Sequence, residues 1–177
     1  GVDIGVSWVV AATSLARLAN ITQMPQTEFD KLGSVVVELG NNLATTEKEI
    51  VEMSLRLAGT GKQVGLTEAE IMGLSGAMSS VGISAQAGGS AMSKAMQIIN
   101  SEVLSGGENV AGFAKVSGMS AEQFSETWKN DPIAALDAFI GGLGEVSDSG
   151  GDVAGTLEGL GIKNMNMIDT LSRLTGA

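Results

Sequence analysis

The side chains in this sequence that could do chemistry are almost all carboxylates. The chain has 20 Asp and Glu, 10 Lys and Arg, and neither His nor Cys. Thiol nucleophiles, imidazole bases and His or Cys metal sites are excluded, because each needs a side chain that the sequence lacks. What remains is acid–base chemistry by paired carboxylates, as in glycoside hydrolysis, where one carboxylic acid lies in an apolar pocket.

Glu122 and Glu126 are the best candidates for such a pair, because they neighbour the aromatic residues Phe124 and Trp128. The same spacing is typical of an amphipathic helix with two aromatic core residues and a charged outer face, and we favour this second interpretation. Other carboxylates are explained by the helix dipole, which favours negative charge in the first turn, and by solvent-facing helix positions. They are Glu47, Glu49, Glu52, Glu68 and Glu70.

Two other stretches could hold a ligand. Residues 59–65 read GTGKQVG, but a Walker A loop needs Gly and Ser or Thr where Arg56 and Gln63 stand. We therefore predict a turn between helices there. Asp148 and Asp152 could hold a cation weakly, but their spacing is not that of an EF-hand, so we predict a solvated turn. The sequence thus predicts no catalytic, cofactor-binding or metal-ligating residue.

Charge and composition narrow the class further. A net charge of -10 argues against a nucleic-acid binder, whose affinity comes from a basic surface. With 44% hydrophobic and 17% charged residues, the chain should fold. Residues 72–93 carry no charge and are long enough to span a bilayer, but they are rich in Gly and Ser. We predict two closely packed helices of small residues there.

Helix start and stop signals recur along the chain, and alternating β-branched runs are missing, so the predicted fold class is all-α, a multi-helix bundle of hairpins. Capping boxes begin at Thr46, Thr67 and Ser120, and Asp131-Pro132 is an N-cap followed by Pro at N1. The predicted helices are 3–21, 26–39 (closed by Gly40), Thr46 to Gly59, Thr67 to Gly82, Ser84 to Ser105, 108–117, a helix from Ser120, a helix from Pro132 to the loop 144–152, 153–160 and 166–175.

Small and flexible side chains predict how these helices pack. Small residues at 73 and 77 and at 87, 91 and 95 predict a tight antiparallel hairpin of the fourth and fifth helices. Glycine pairs at 88–89, 106–107, 141–142 and 150–151 predict helix breaks. Trp128 is predicted to anchor the core. We expect the methionines on helix faces to fill the core, not to form a binding surface: Met53, Met72, Met78, Met92 and Met96.

Several segments, taken in order, carry a resemblance to a known family. They are LGNNLAT (39–45), MSLRLA (53–58), GLTEAEI (65–71), SVGISAQAGGSA (80–91), Phe124 and Trp128 with Asp131-Pro132, and LGI (160–162). This succession resembles the core region of phage tail tape-measure proteins of long-tailed phages and of prophages, from about residue 15 to the C-terminus. One departure is Gly89-Ser90, where Gly-Thr is expected.

The resemblance implies a structural tail protein that is not an enzyme and has no cofactor. In this family a long helical chain sets tail length, and it leaves ahead of the DNA at infection. Expected partners are the tail tube, the tail tip, assembly chaperones and other copies of the chain, with transient membrane contact. The expected location is the virion, after assembly in the host bacterial cytoplasm.

We treat residues 1–177 as one module of a longer chain, with 1–105 and 108–177 as candidate sub-units. Two alternatives stay open. One is a peptidoglycan hydrolase module embedded in a tail protein, and the other is a helical pore-forming or effector protein.

Overall fold

The computed structural model describes the backbone of residues 3–43 and 45–177 and the side chains of residues 12–25, 27–43 and 45–177. This part of the chain is helical with no strand, which confirms the all-α fold class. Its helices are α1 (Asp3–Thr22), α2 (Phe29–Asn42) after a short 3-10 helix (Gln26–Glu28), α3 (Glu47–Val64), α4 (Glu68–Ser80), α5 (Ala85–Ser105), α6 (Val110–Val116), α7 (Ala121–Asn130), α8 (Pro132–Asp148), α9 (Val153–Gly159) and α10 (Met165–Leu174).

All three predicted capping boxes form. At the start of α3, the Thr46 hydroxyl accepts from the Glu49 amide at 3.3 Å, and the Glu49 carboxylate accepts from the Thr46 amide at 3.2 Å. The hydrogen bonds from the Thr46 side chain and amide hold the pKa of Glu49 below its ordinary value. The same reciprocal pair begins α4 and α7. Each cap contributes about 1 kcal/mol, so these helix starts are set locally.

The described apolar side chains form two clusters. The large core draws on α3 to α10 and holds the stacked and edge-on rings of Phe113, Phe124, Phe139 and Trp128. A smaller N-terminal cluster joins α1 and α2 to the opposite sides of α3 and α4; its members are Leu15, Leu18, Leu32, Val36, Ile50, Val51, Ala58 and Met72. The α3–α4 pair therefore forms a wall between two apolar layers.

Two of the four glycine pairs predicted to break helices lie inside helices instead. Residues 88–89 lie in α5 and 141–142 lie in α8. A Cβ on Gly89 would lie 2.6 Å from Arg56 Cβ of α3, and one on Gly142 would overlap the Val116 carbonyl oxygen of α6. The missing side chains allow close approach of neighbouring helices. At Gly106 and Gly150 the break is real, because φ is +64° and +76°.

The prediction that α4 and α5 pair as a hairpin is wrong, because α5 pairs with another helix. Helix α5 packs mainly against α3, and α4 packs on α3 as well. The α3–α5 contact is fixed by the Ser93 hydroxyl, which donates to the Arg56 carbonyl at 3.3 Å, and by Gln97, whose amide donates to Thr60 Oγ1 at 3.3 Å. The contact with α3 uses Gly89, Ser93 and Gln97, which lie on a different side of α5 from the small residues at 87, 91 and 95.

Three predicted helix ends are also wrong, because the helices run on. Helix α2 continues past Gly40 to Asn42, and α8 continues into the predicted loop 144–152 and ends at Asp148, so that only 149–152 are non-helical. Helix α3 continues past Gly59 to Val64, and within it Gly61 is buried where a Cβ would lie 2.9 Å from Ile71 Cγ1 of α4. These glycines fit a helical backbone, and a close neighbour explains Gly61.

Trp128→Ala should destabilise the protein by about 3 to 5 kcal/mol through the cavity it leaves. Trp128 is 2% exposed, stacks on Phe124 at 6.4 Å, and donates from Nε1 to Asn100 Oδ1 at 3.0 Å. Met165→Ala is the control, because Met165 is 74% exposed and its loss should change stability by less than about 0.5 kcal/mol. Urea unfolding followed by far-ultraviolet circular dichroism measures both. Equal midpoints for the two variants would show that Trp128 is not a core anchor.

Gly89→Ala and Gly59→Ala should change stability in opposite directions. Both glycines lie inside helices, where Ala is favoured over Gly by about 1 kcal/mol. Nothing lies within 4 Å of a Cβ at Gly59, so that variant should gain stability, whereas at Gly89 the new methyl meets the Arg56 stem. Thermal melting of the two variants measures the difference. A stabilised Gly89→Ala would mean that α5 and α3 are further apart than described.

Candidate functional site

The two carboxylates of the candidate pair lie away from the aromatic rings that neighbour them in the sequence. Glu122 and Glu126 are exposed on one face of α7, while Phe124 and Trp128 are buried on the opposite face. The aromatic rings belong to the large core, so they provide no apolar pocket for a carboxylic acid. The interpretation as an amphipathic helix with two aromatic core residues is confirmed.

The glycine-rich stretch 59–65 is not a loop. Its first six residues are the last turns of α3, and Gly65 ends the helix with φ +97°, its amide donating to the carbonyls of Gly61 and Lys62. The Lys62 ammonium lies 4.0 Å from the Glu68 carboxylate. The predicted turn between helices is therefore shorter and later than expected, and the backbone has no concave run of free amides for a phosphate.

Two carboxylates, Asp148 and Asp152, lie on either side of the α8–α9 connection. One is exposed to solvent, and the other caps a helix. Asp152 caps α9, its carboxylate accepting from the Gly155 amide at 2.8 Å, and Asp148 is exposed at the end of α8. Among the described residues, no group of three or more Asp or Glu side chains is arranged to hold a metal ion. The two Asp residues therefore have ordinary structural places.

The methionines and the uncharged stretch also have structural places. The five methionines expected in the core are all fully buried, which confirms core filling. Within the described ranges, no helix has the length and hydropathy to cross a bilayer. Residues 72–93 are divided between α4 and α5 by the turn at Gly82, where φ is +78°.

A polar groove of about 420 Å³ lies where the first turns of α5 and α10 meet. Neither first turn carries an acidic residue, and Lys94 lines the groove. The helix amides are already partly bonded, because Ser84 Oγ accepts from the Ala87 amide and Asn164 Oδ1 accepts from the Asn166 amide at 2.9 Å. The helices' own caps thus occupy donors that an anion would need.

A second groove, of about 550 Å³, lies between the ends of α3 and α5 and has no charged residue in its lining. Its most exposed apolar side chain is Leu104. The carboxylate nearest in sequence, Glu102, accepts from the backbone and side-chain nitrogens of Asn109 at 3.2 and 3.3 Å. We call this surface the uncharged groove; it is lined by Gln63, Val64, Gln97, Asn100, Ser101, Leu104 and Ser105.

The uncharged groove was missed in the sequence, although a signal for it exists. Gln97, Ser101 and Leu104 lie at helical spacing and make an uncharged stripe on α5. An uncharged stripe is notable only in comparison with the rest of a chain whose net charge is -10. Depletion of charge is typical of the centre of protein–protein interfaces, so this surface is a candidate for contact with another protein.

Comparison with protein-family models finds a match to a family described as phage-related minor tail protein, over residues 8–160. No curated protein and no solved structure matches the chain. The matched range runs from within α1 to the residue after α9. Helix α10 lies beyond it, although its Met167, Ile168, Leu171 and Leu174 are part of the large core.

Proposed function

Because the chain belongs to the phage-related minor tail protein family, we propose that it is the core region of a tape-measure protein, which sets tail length during assembly. The family match over residues 8–160 carries the structural tail role. The ordered segments from residue 39 to 162 that resemble tape-measure core regions support the finer role. In this role the chain acts by contact with other tail proteins and not by catalysis.

The proposed partners follow from that role. They are the tail tube, the tail tip, assembly chaperones and other copies of this chain. Assembly takes place in the cytoplasm of the host bacterium, and the protein is carried in the virion. At infection it leaves ahead of the DNA and contacts the cell envelope transiently. An acidic chain of net charge -10 is suited to these protein contacts and not to holding DNA.

Within the tape-measure protein, we assign this segment to docking and not to measurement. As one continuous helix, 177 residues would span ~265 Å, since each adds about 1.5 Å. The longest described helix, α5, has 21 residues and a length of ~32 Å. Heptad repeats sustained over several turns, which an extended coiled coil needs, are missing from the sequence. The folded segment therefore adds little length for its number of residues.

Phe139→Ala in the phage should abolish tail assembly or infectivity without changing the number of residues. Phe139 is fully buried, 5.2 Å from the Phe113 ring, so its loss should destabilise the large core by about 3 to 5 kcal/mol. A ruler that counts helical residues is insensitive to this substitution, whereas a docking module must stay folded. Met165→Ala is the matched control, because Met165 is 74% exposed.

Electron microscopy of tails and plaque counts measure the outcome. Normal tails and full infectivity with Phe139→Ala, at a protein level equal to that of the control, would contradict the docking role. Deletion of the whole segment gives a second test. Infectious particles whose tails are uniformly shorter by roughly 265 Å would show that the segment measures length.

We propose that copies of the chain contact one another through the uncharged groove. Two acidic chains repel wherever their carboxylates face each other, and this groove offers a surface where none do. A basic partner would instead be drawn to the carboxylate-rich surface. Leu104, 68% exposed at the groove, supplies the apolar contact.

Leu104→Glu should weaken self-association of the chain at least about tenfold, because it places a carboxylate at the contact. Val37→Glu on α2 is the control, since Val37 is also exposed and lies outside the groove. Sedimentation equilibrium at rising protein concentration measures association. It should strengthen with salt, which screens the repulsion between the rest of the two chains. Equal association constants for Leu104→Glu and the unchanged chain would rule out this contact.

A further inference from the structure

The described side chains of helices α1 and α2 belong to a different apolar cluster from those of α5 to α10. None of their described side chains belongs to the large core. They pack on α3 and α4 through the N-terminal cluster, to which they contribute Leu15, Leu18, Leu32 and Val36. The aromatic ring contacts of the described side chains all lie in the other layer. The described side chains of α1 and α2 are therefore attached through this one small cluster, against which Phe29 and Leu39 also pack.

The polar bonds of α2 do not reinforce that attachment. Its side-chain hydrogen bonds and ion pair stay within residues 28–42: Ser34 donates to the Asp30 carbonyl, Asn42 donates to the Glu38 carbonyl, and Lys31 pairs with Glu28. The helix also starts without a side-chain cap. Its bonds would thus survive separation from α3 and α4.

The wall that α1 and α2 cover is, by contrast, tied together and tied to α5. The buried Ser54 hydroxyl donates to Ser75 Oγ at 3.0 Å, which joins α3 to α4. Ser93 joins α5 to α3. The residue before α3's N-cap is also anchored, since the hydroxyls of Thr45 and Ser79 share a hydrogen bond. Helix α2 ends before Leu43, whose backbone is extended, so α2 does not run on into α3 as one helix.

We propose that α1 and α2 form a strap that opens as one unit while α3 to α10 stay folded. Opening uncovers an apolar face made of Ile50, Val51 and Ala58 on α3 and Met72 on α4. Closing covers the same face with Leu15, Leu18, Leu32 and Val36. The fold thus has two compact states, which differ in whether this face meets solvent. The inference rests on the division of the core and not on the proposed function.

Hydrogen exchange of the full chain at a series of sub-denaturing urea concentrations tests the strap. Amides of α1 and α2 should share one opening free energy, lower than that of α5 and α8. Its dependence on urea should be clearly above zero but smaller than that of α5 and α8, because opening exposes only part of the apolar surface. A single free energy and slope for all helices would overturn the proposal. So would strap amides with no urea dependence, which indicates fraying of single turns.

A matched pair of substitutions gives a second readout. Leu143 of α8 is fully buried in the large core, so Leu143→Ala destabilises the open and closed states equally relative to the unfolded state. Exchange in α5 and α8 should accelerate at least about 30-fold, while exchange in α1 and α2 stays unchanged. Leu32→Ala, in the N-terminal cluster, should accelerate exchange in α1 and α2 by a similar factor.

If Leu143→Ala accelerates hydrogen exchange in α1 and α2 as much as in α5, all these helices unfold as one cooperative unit. That result would overturn the proposal. If Leu143→Ala does not fold, the urea series on the unchanged chain decides between the same two outcomes.

Discussion

The burial of α3 from two sides is the constraint on which the rest of the structure depends. Ile50, Val51 and Ala58 face the N-terminal cluster, while Met53 and Leu57 face the large core. A helix covered from both sides needs small residues where neighbours come closest, and Ser54 and Gly61 meet that need. The buried Ser54 hydroxyl has acceptors for its one proton within reach, at Ser75 Oγ and the Ile50 carbonyl, so it is not left unpaired. Four other helices take their positions from this one.

Much of the helix pattern was predictable because its signals are local. A capping box is complete within four residues, so Thr46, Thr67 and Ser120 identify helix starts from sequence alone. A glycine is ambiguous, since the missing Cβ permits both a left-handed end and a close neighbour. Gly106 ends α5 at φ +64°, whereas Gly89 lies inside it beside Arg56. Only the position of α3 distinguishes the two, and that position is a tertiary property.

Features related to function could likewise be predicted where their signal is local, and could not be predicted where they depend on tertiary packing. The face pattern of α7 is local, so the assignment of Glu122 and Glu126 to solvent and of Phe124 to the core followed from spacing. The uncharged groove needs α3 and α5 side by side, and the predicted pairing of α5 with α4 hid it. The order of familiar segments indicated a phage tail protein, which no single residue here could have done.

Two separate apolar layers let this chain combine a stable body with a changeable surface. The aromatic rings and most of the buried methionines lie in the large core, which has no member among the described side chains of the strap. Substitutions at Leu15 or Leu32 remove packing between the strap and the α3–α4 face, which exists in the closed state. Such a chain can adjust how often the α3–α4 face is uncovered without weakening its aromatic core. A single continuous core would couple the two properties, since every loss of strap packing would then also loosen the body.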